Sequence, residues 1–376
     1  MRNTTRLLSL TLAFVLCSGI TYAQTTNPLF QQGLQEYDRR EYAKAIGTFT
    51  QYLVQNPNDS AAHFNVGLSY YYLKKYPMAE PSLRSAIRIK PDYARAHIWL
   101  GSTLSFLGKY NEAIASLVKG LELEPNNAEG HFELGLAHYR QKNYAAALPA
   151  YQKSATLNPA NADVHYRLGA TLLNLDRKPQ AQTAFEKAVA LGIKNGYAQY
   201  ELGKLYDANK RYDDAVRVLK TATVMLPNDR LSHYLLGSVC NELKQYPQAI
   251  GAFNTAISLD PKSADSHLGL GNSYYNDNKY AESIPHYRKA FELSPKWETA
   301  GVYLGDAYTY TNQPTLALDA FNKVLLVNPK NANSIFGIGV VRVRQKNIVL
   351  AQKELAKLDI LDKNLADSLR AKIAAM

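Results

Sequence analysis

Six of the eight histidines, His63, His97, His131, His165, His233 and His267, fall on a spacing of 34 residues or a multiple of it. A periodic imidazole stripe is the feature that most invites chemistry, because imidazole ligates zinc and titrates near neutral pH. Zinc holds each nitrogen at about 2.0–2.1 Å, whereas neighbouring helices pack about 8–10 Å apart, so rings on successive helices cannot share an ion. The stripe therefore reads as structural, with pH-dependent stability as a secondary reading, and no metal is expected. Of the two cysteines, Cys17 and Cys240, neither belongs to a disulfide framework, and an unpaired thiol of this kind is more often buried than reactive. There is no HExxH, GxSxG, P-loop or GxGxxG pattern. Acids and histidines are spread along the chain instead of gathered, so neither an enzyme nor a cofactor is expected.

The 376 residues carry 43 Lys plus Arg against 32 Asp plus Glu, a formal charge of +11, with 20% charged and 46% hydrophobic residues. This is ordinary globular usage, which excludes a disordered, collagen-like or disulfide-dense chain. The basic excess forms no run of five. At the N-terminus, Arg2 and Arg6 precede an apolar stretch, Leu7 to Leu16, and Thr21-Tyr22-Ala23 supplies small residues for cleavage before Gln24. Residues 1–23 read as a secretory signal. The apolar stretch is shorter than the roughly 20 residues of a spanning helix, and Leu16 before Cys17 argues against a lipoprotein signal. The expectation is an exported protein, periplasmic or secreted, with no transmembrane segment in the mature chain.

Prolines at 57, 91, 125, 159, 227, 261, 295 and 329 lie on a grid of 34, missing only at Ile193. Glycines at 33, 67, 101, 135, 169, 203, 237, 271, 305 and 339 keep the same interval without a gap. Ten units result, covering residues 26–365. Within each unit, two runs of apolar residues at helical spacing meet at a polar turn such as Gln141-Lys142-Asn143, and the proline ends the second run. Glycine inside a helix costs roughly 1 kcal/mol relative to alanine. The glycine at position 8 therefore implies close contact, assigned to small residues at position 20, with large residues at position 24 filling the space between units. After the tenth unit, Leu361, Leu365, Leu369 and Ile373 suggest one amphipathic helix that closes the core, with residues 366–376 as its end. The join Leu191 to Gly196 lacks its proline and reads as either a hinge or a drifted loop, with Gly192 suited to a left-handed cap.

The 34-residue period, Leu-Gly at positions 7 and 8 (100–101, 134–135, 168–169 and onward), Tyr at 17 (Tyr42, Tyr76, Tyr110, Tyr144), Ala at 20 and Pro at 32 resemble the tetratricopeptide repeat family. The resemblance implies an all-α solenoid of ten helical hairpins with a C-terminal capping helix. It also implies that imidazole replaces the family's Trp at the helix seam, and that positions 2, 5, 6, 9, 12 and 13 of the first helices line a concave groove. Carried onto this sequence, the richest part of that groove is in the first four units: Tyr37, Tyr71, Tyr72, Arg95, Trp99, Phe106, Glu129, Tyr139 and Arg140. Tyr, Trp and Arg are the types in which binding energy concentrates. Tyr275 and Tyr310 occupy equivalent positions further on. The Lys and Asn pattern of the carboxylate clamp and the Asn ladder of glycosyltransferase-linked repeats are both absent.

The expected function is a non-catalytic protein–protein interaction scaffold outside the cytosol, taking a peptide or helix in the aromatic groove. The alternative partner is an anionic envelope polysaccharide, stacked on tyrosines and attracted by a mature charge of +9 once Arg2 and Arg6 are removed. Nucleic acid fits the charge but not the export signal.

Overall fold

The computed structural model describes residues 27–375, and the regular elements among them are all α-helices. The expected signal segment, 1–23, lies outside the described residues. The chain divides into two compact units after Ile193. The first holds α1 (Pro28–Asp38), α2 (Tyr42–Gln55), α3 (Ser60–Tyr72), α4 (Tyr76–Ile89), α5 (Ala94–Phe106), α6 (Tyr110–Leu123), α7 (Ala128–Arg140), α8 (Tyr144–Leu157), α9 (Ala162–Asn174) and α10 (Lys178–Ala190). The second holds α11 (Gly196–Ala208), α12 (Tyr212–Met225), α13 (Arg230–Glu242), α14 (Tyr246–Leu259), α15 (Ala264–Asn276), α16 (Tyr280–Leu293), α17 (Glu298–Tyr310), α18 (Pro314–Val327), α19 (Ala332–Arg344), α20 (Ile348–Leu361) and α21 (Lys363–Ala374). Helices pair as hairpins, and within a unit the first helices of successive hairpins also touch, as α3 with α5 and α5 with α7. The all-α hairpin repeat expected from the sequence is the fold observed.

Three local devices build the hairpins. At the start, an Asx or Ser side chain caps the first helix in all but α5 and α17, where Tyr93 and Trp297 stand at the cap: Asp59 accepts from the Ala61 and Ala62 amides at 2.9 and 3.0 Å, and Asn127 accepts from Gly130 at 2.8 Å. In the turn, Lys74 adopts φ +57°. Its N–H donates to the Tyr71 carbonyl at 2.8 Å, and that of Lys75 donates to Tyr70 at 2.9 Å, the paired bonds of a Schellman ending. Nine such turns use a non-glycine residue at this point, among them Lys142 at φ +62°, and only Gly108 uses glycine. At the end, Asn56 (φ −129°, ψ 59°) and Lys90 (φ −130°, ψ 90°) leave the helical region before Pro57 and Pro91. At the join, Gly192 has φ +76° and repeats the Schellman pair through Val189 and Ala188, so the left-handed cap is present there too.

The position-8 glycines are needed, but chiefly because of position 24. A Cβ on Gly135 would lie 2.8 Å from the Tyr151 ring, one on Gly67 2.7 Å from Leu83, and one on Gly305 2.5 Å from Phe321. At Gly101 the facing residue at position 20 also comes close, the Ala113 carbonyl lying 2.8 Å from where the Cβ would be. The same large side chains also press on the next hairpin, since a Cβ on Gly337 would run into the Phe321 ring. At the C-terminal end the arrangement changes hands. Gly339 is covered by Leu369 of α21, and Leu361 is the last residue of α20 instead of part of one continuous closing helix. Ala366 and Leu369 are the residues α21 buries.

Candidate functional site

The histidine stripe has a specific structural task that the sequence did not reveal. The Nε2 of His63 lies 2.9 Å from the Pro57 carbonyl, and His97, His131 and His165 repeat this with Pro91, Pro125 and Pro159 at 2.9, 2.9 and 3.0 Å. His233 and His267 do so at 3.1 and 3.2 Å. A carbonyl can only accept, so Nε2 carries the proton in each ring. Each imidazole ties the first turn of its helix to the proline loop before it, and the His267 ring, 8% exposed, also stacks on His286 of the paired helix α16 at 6.0 Å.

The groove residues of the first unit come from α1, α3, α5 and α7, whose C-terminal halves lie side by side. Tyr71 is the centre. Its ring meets Trp99 at 4.9 Å, Tyr72 at 5.7 Å and Phe106 at 5.8 Å, all near perpendicular. Tyr72 in turn meets Tyr37 at 6.0 Å and Trp99 at 5.8 Å. Edge-to-face pairs of this kind contribute about 0.5–1.5 kcal/mol each beyond burial, so the rings hold one another in place. Trp99 is 7% exposed and forms the floor, while Tyr72 and Phe106 are 42% and 41% exposed and form the outer surface.

A hydrogen-bond chain secures this strip from below. Ser102 donates its one proton to Glu133 Oε2 at 2.6 Å, so Tyr71 must donate to Ser102 across 2.9 Å. Burial raises the Glu133 carboxyl, against the lowering effect of the Ser102 bond and Arg140. Burial likewise pushes the Tyr71 and Tyr37 hydroxyls up. Arg140 lies 3.8 Å from the centre of the Phe106 ring and donates to Ser105 Oγ at 3.1 Å, which places a fixed cation at one edge. At the other side Arg95 sits over Phe64 at 5.3 Å, and burial raises the Glu129 carboxyl despite the nearby Arg95 charge.

Of the nine residues selected from the sequence, Tyr37, Tyr71, Tyr72, Trp99, Phe106 and Arg140 form one connected group. Arg95 and Glu129 interact with each other and with Tyr72 electrostatically. Tyr139 stands apart, edge-on to Tyr144 at 5.1 Å and accepting from Asn174 at 3.4 Å. The position-17 tyrosines were legible as repeat consensus and yet belong to the strip. Tyr42 stacks on Tyr72 at 5.1 Å and Tyr76 on Phe106 at 4.4 Å. Ser102 and Glu133 lie at groove positions 9 and 6 of their repeats, but the bond between them carried no signal, because a hydrogen bond spanning 31 residues is set by the stacking of hairpins and by no local motif.

Among the described residues no helix is long and apolar enough to cross a membrane. Models of the tetratricopeptide repeat match residues 30–94, 128–161, 166–230 and 264–297, and a further TPR repeat model matches 107–142 and 237–278, together well over half of the chain. No curated protein matches. Solved structures similar to the chain include YrrB, described as a TPR protein with an unusual peptide-binding site (22% identity, 49% of this chain and 95% of that one, TM-score 0.47). MamA from Desulfovibrio magneticus matches at 20% identity over 45% of this chain and 96% of that one, with a TM-score of 0.42. The Cut9–Hcn1 complex matches at 16% identity over 93% of this chain and 90% of that one, with a TM-score of 0.44. With the period, the Schellman turns and the glycine-ring contacts all in register with the matched repeats, the chain belongs to the tetratricopeptide repeat family, whose repeats serve as scaffolds for protein–protein interaction.

Proposed function

We propose that the protein is a non-catalytic interaction scaffold working outside the cytosol, and that its first unit takes a peptide or a helix of a partner protein on the aromatic strip of α1, α3, α5 and α7. The observation that carries this reading is the immobilisation of two outward rings. Tyr72 and Phe106 expose two-fifths of their surface, yet each is clamped by ring contacts on at least two sides and, for Phe106, by Arg140. Rigid aromatic surface loses little entropy when a partner covers it, and that is what concentrates binding energy. The location rests on the signal-like sequence of residues 1–23.

The test is affinity capture from an extract of the exported fraction with residues 24–376 and with a Tyr72→Ala/Phe106→Ala variant whose circular dichroism matches the parent. Bound protein and bound glycan are both identified. Retention of a protein by the parent and its loss from the variant is the expected result. Glycan retained without protein would replace this reading with a polysaccharide binder, and equal retention by both baits would move the contact surface elsewhere.

A further inference from the structure

The second unit contains a separate cavity of 480 Å³, walled by α15, α17 and α19 and closed at one end by α21. Three tyrosines form its aromatic side: Tyr303 and Tyr310 each stand 5.9 Å from Tyr275, at 38° and 77°. Tyr310 also stacks on Tyr280 at 4.5 Å, repeating the Tyr76–Phe106 pair of the first unit. Asp306, one turn before Tyr310 on α17, lines the same cavity. It forms no hydrogen bond and no ion pair. Burial alone lifts its carboxyl from 3.8 to about 6, with no cation near enough to counter this, and its charge adds to the burial that pushes up the Tyr275 and Tyr287 hydroxyls.

The cations at the cavity do not serve Asp306. Arg344 is occupied, lying 5.5 Å over the Tyr310 ring and donating to the Thr309 carbonyl. Lys372 of α21 lines the rim without pairing with it. An ionisable acid held in a cavity without a partner destabilises the fold, and such a group is a functional candidate when it faces space a ligand could enter. Aromatic faces around a carboxylate attract one ligand chemistry in particular. The ring quadrupoles and the negative charge both favour a cation, and both effects strengthen when water is displaced.

We infer that this cavity is a second binding site, distinct from the strip in the first unit, and that it takes a cationic side chain, lysine or arginine, from a protein partner, with Asp306 as its counter-ion and Tyr275, Tyr303 and Tyr310 as its walls. The volume lies within the range of ordinary ligand sites, about 300–1,000 Å³, and admits a long side chain with its flanking backbone. Lys372 opposes the cation from the rim, so its removal strengthens binding.

The experiment is saturation-transfer NMR on residues 24–376 at low salt with three capped tripeptides, Gly-Lys-Gly, Gly-Arg-Gly and Gly-Gln-Gly. The Lys or Arg peptide binds the parent, the Gln peptide does not, Asp306→Asn weakens the cationic peptide by about tenfold or more, and Lys372→Gln tightens it. Asp306→Asn relieves an unpaired charge and so keeps the unit folded, which separates lost binding from lost structure. Equal binding of the Gln peptide, an unchanged affinity in Asp306→Asn, or no binding of any peptide would overturn the assignment. Because no residue of the first unit is altered, none of these results bears on the aromatic strip.

Discussion

Asp306→Asn should make the protein more stable at neutral pH, and the size of the effect follows from the burial of the carboxyl. Its folded value of about 6 against 3.8 for the free side chain is a gap of about 2 units, and each unit is about 1.4 kcal/mol. Between pH 4 and 6 the folded chain holds a proton that the unfolded chain has released, so stability falls as pH rises through that window. Above pH 7 the ionised group sets the folded unit back by about 3 kcal/mol. Asparagine has nearly the same shape and no charge, but its amide still needs partners, so the expected gain at pH 7.5 is about 1–3 kcal/mol. Below pH 4, where both states of the parent are protonated, the gain should vanish. Urea unfolding followed by Trp297 fluorescence, in a Trp99→Phe background, reads this in the second unit. A variant no more stable than the parent at pH 7.5, or equally favoured at pH 3.5 and 7.5, would refute the unpaired carboxylate.

Four other substitutions test the repeat itself. Gly135→Ala should lower stability by about 1–3 kcal/mol in urea, because a Cβ 2.8 Å from the Tyr151 ring overpacks the hairpin by more than the roughly 1 kcal/mol that alanine adds in helix propensity. Lys142→Gly should raise the melting temperature, since lysine at φ +62° is strained by about 1–2 kcal/mol and the looser unfolded chain returns only about half of it. Tyr151 and Tyr287 occupy the same repeat position, but the Tyr151 hydroxyl is buried without a partner whereas Tyr287 donates to Asn272 at 2.9 Å. Tyr151→Phe should therefore be neutral or stabilising, and Tyr287→Phe should cost about 1 kcal/mol, both measured by chemical denaturation.

The fold was legible because its determinants recur. Glycine at position 8 marks every hairpin, and proline at position 32 all but the fifth and tenth, through backbone chemistry that acts locally, so the grid alone yields the helix boundaries. What covers the glycine was less legible: periodicity says that something small is needed and not whether residue 20 or 24 lies on it. The start of the closing helix is hidden in the sequence because Leu361 shares the four-residue spacing of Leu365 and Leu369, while Asp362 caps α21 through the Leu365 amide at 3.1 Å and breaks the run. At the site, Tyr71, Tyr72 and Phe106 could be placed on one face by position number. The Tyr71–Ser102–Glu133 chain and the unpaired state of Asp306 could not, since each depends on which side chains from other hairpins arrive nearby. The histidines show the same limit: their spacing was plain, and their bond to the proline carbonyl six residues back required coordinates.

Site-specific photo-crosslinking reads directly whether partner protein is held on the first unit's strip. A benzoylphenylalanine replacing Phe106, on the strip, is compared with one replacing Val118 on α6, which is equally exposed at 42%. The account predicts a protein adduct from position 106 that disappears when Tyr72 is also changed to alanine, and none from position 118. Adducts from position 118 alone, or a position-106 adduct indifferent to Tyr72, would contradict it.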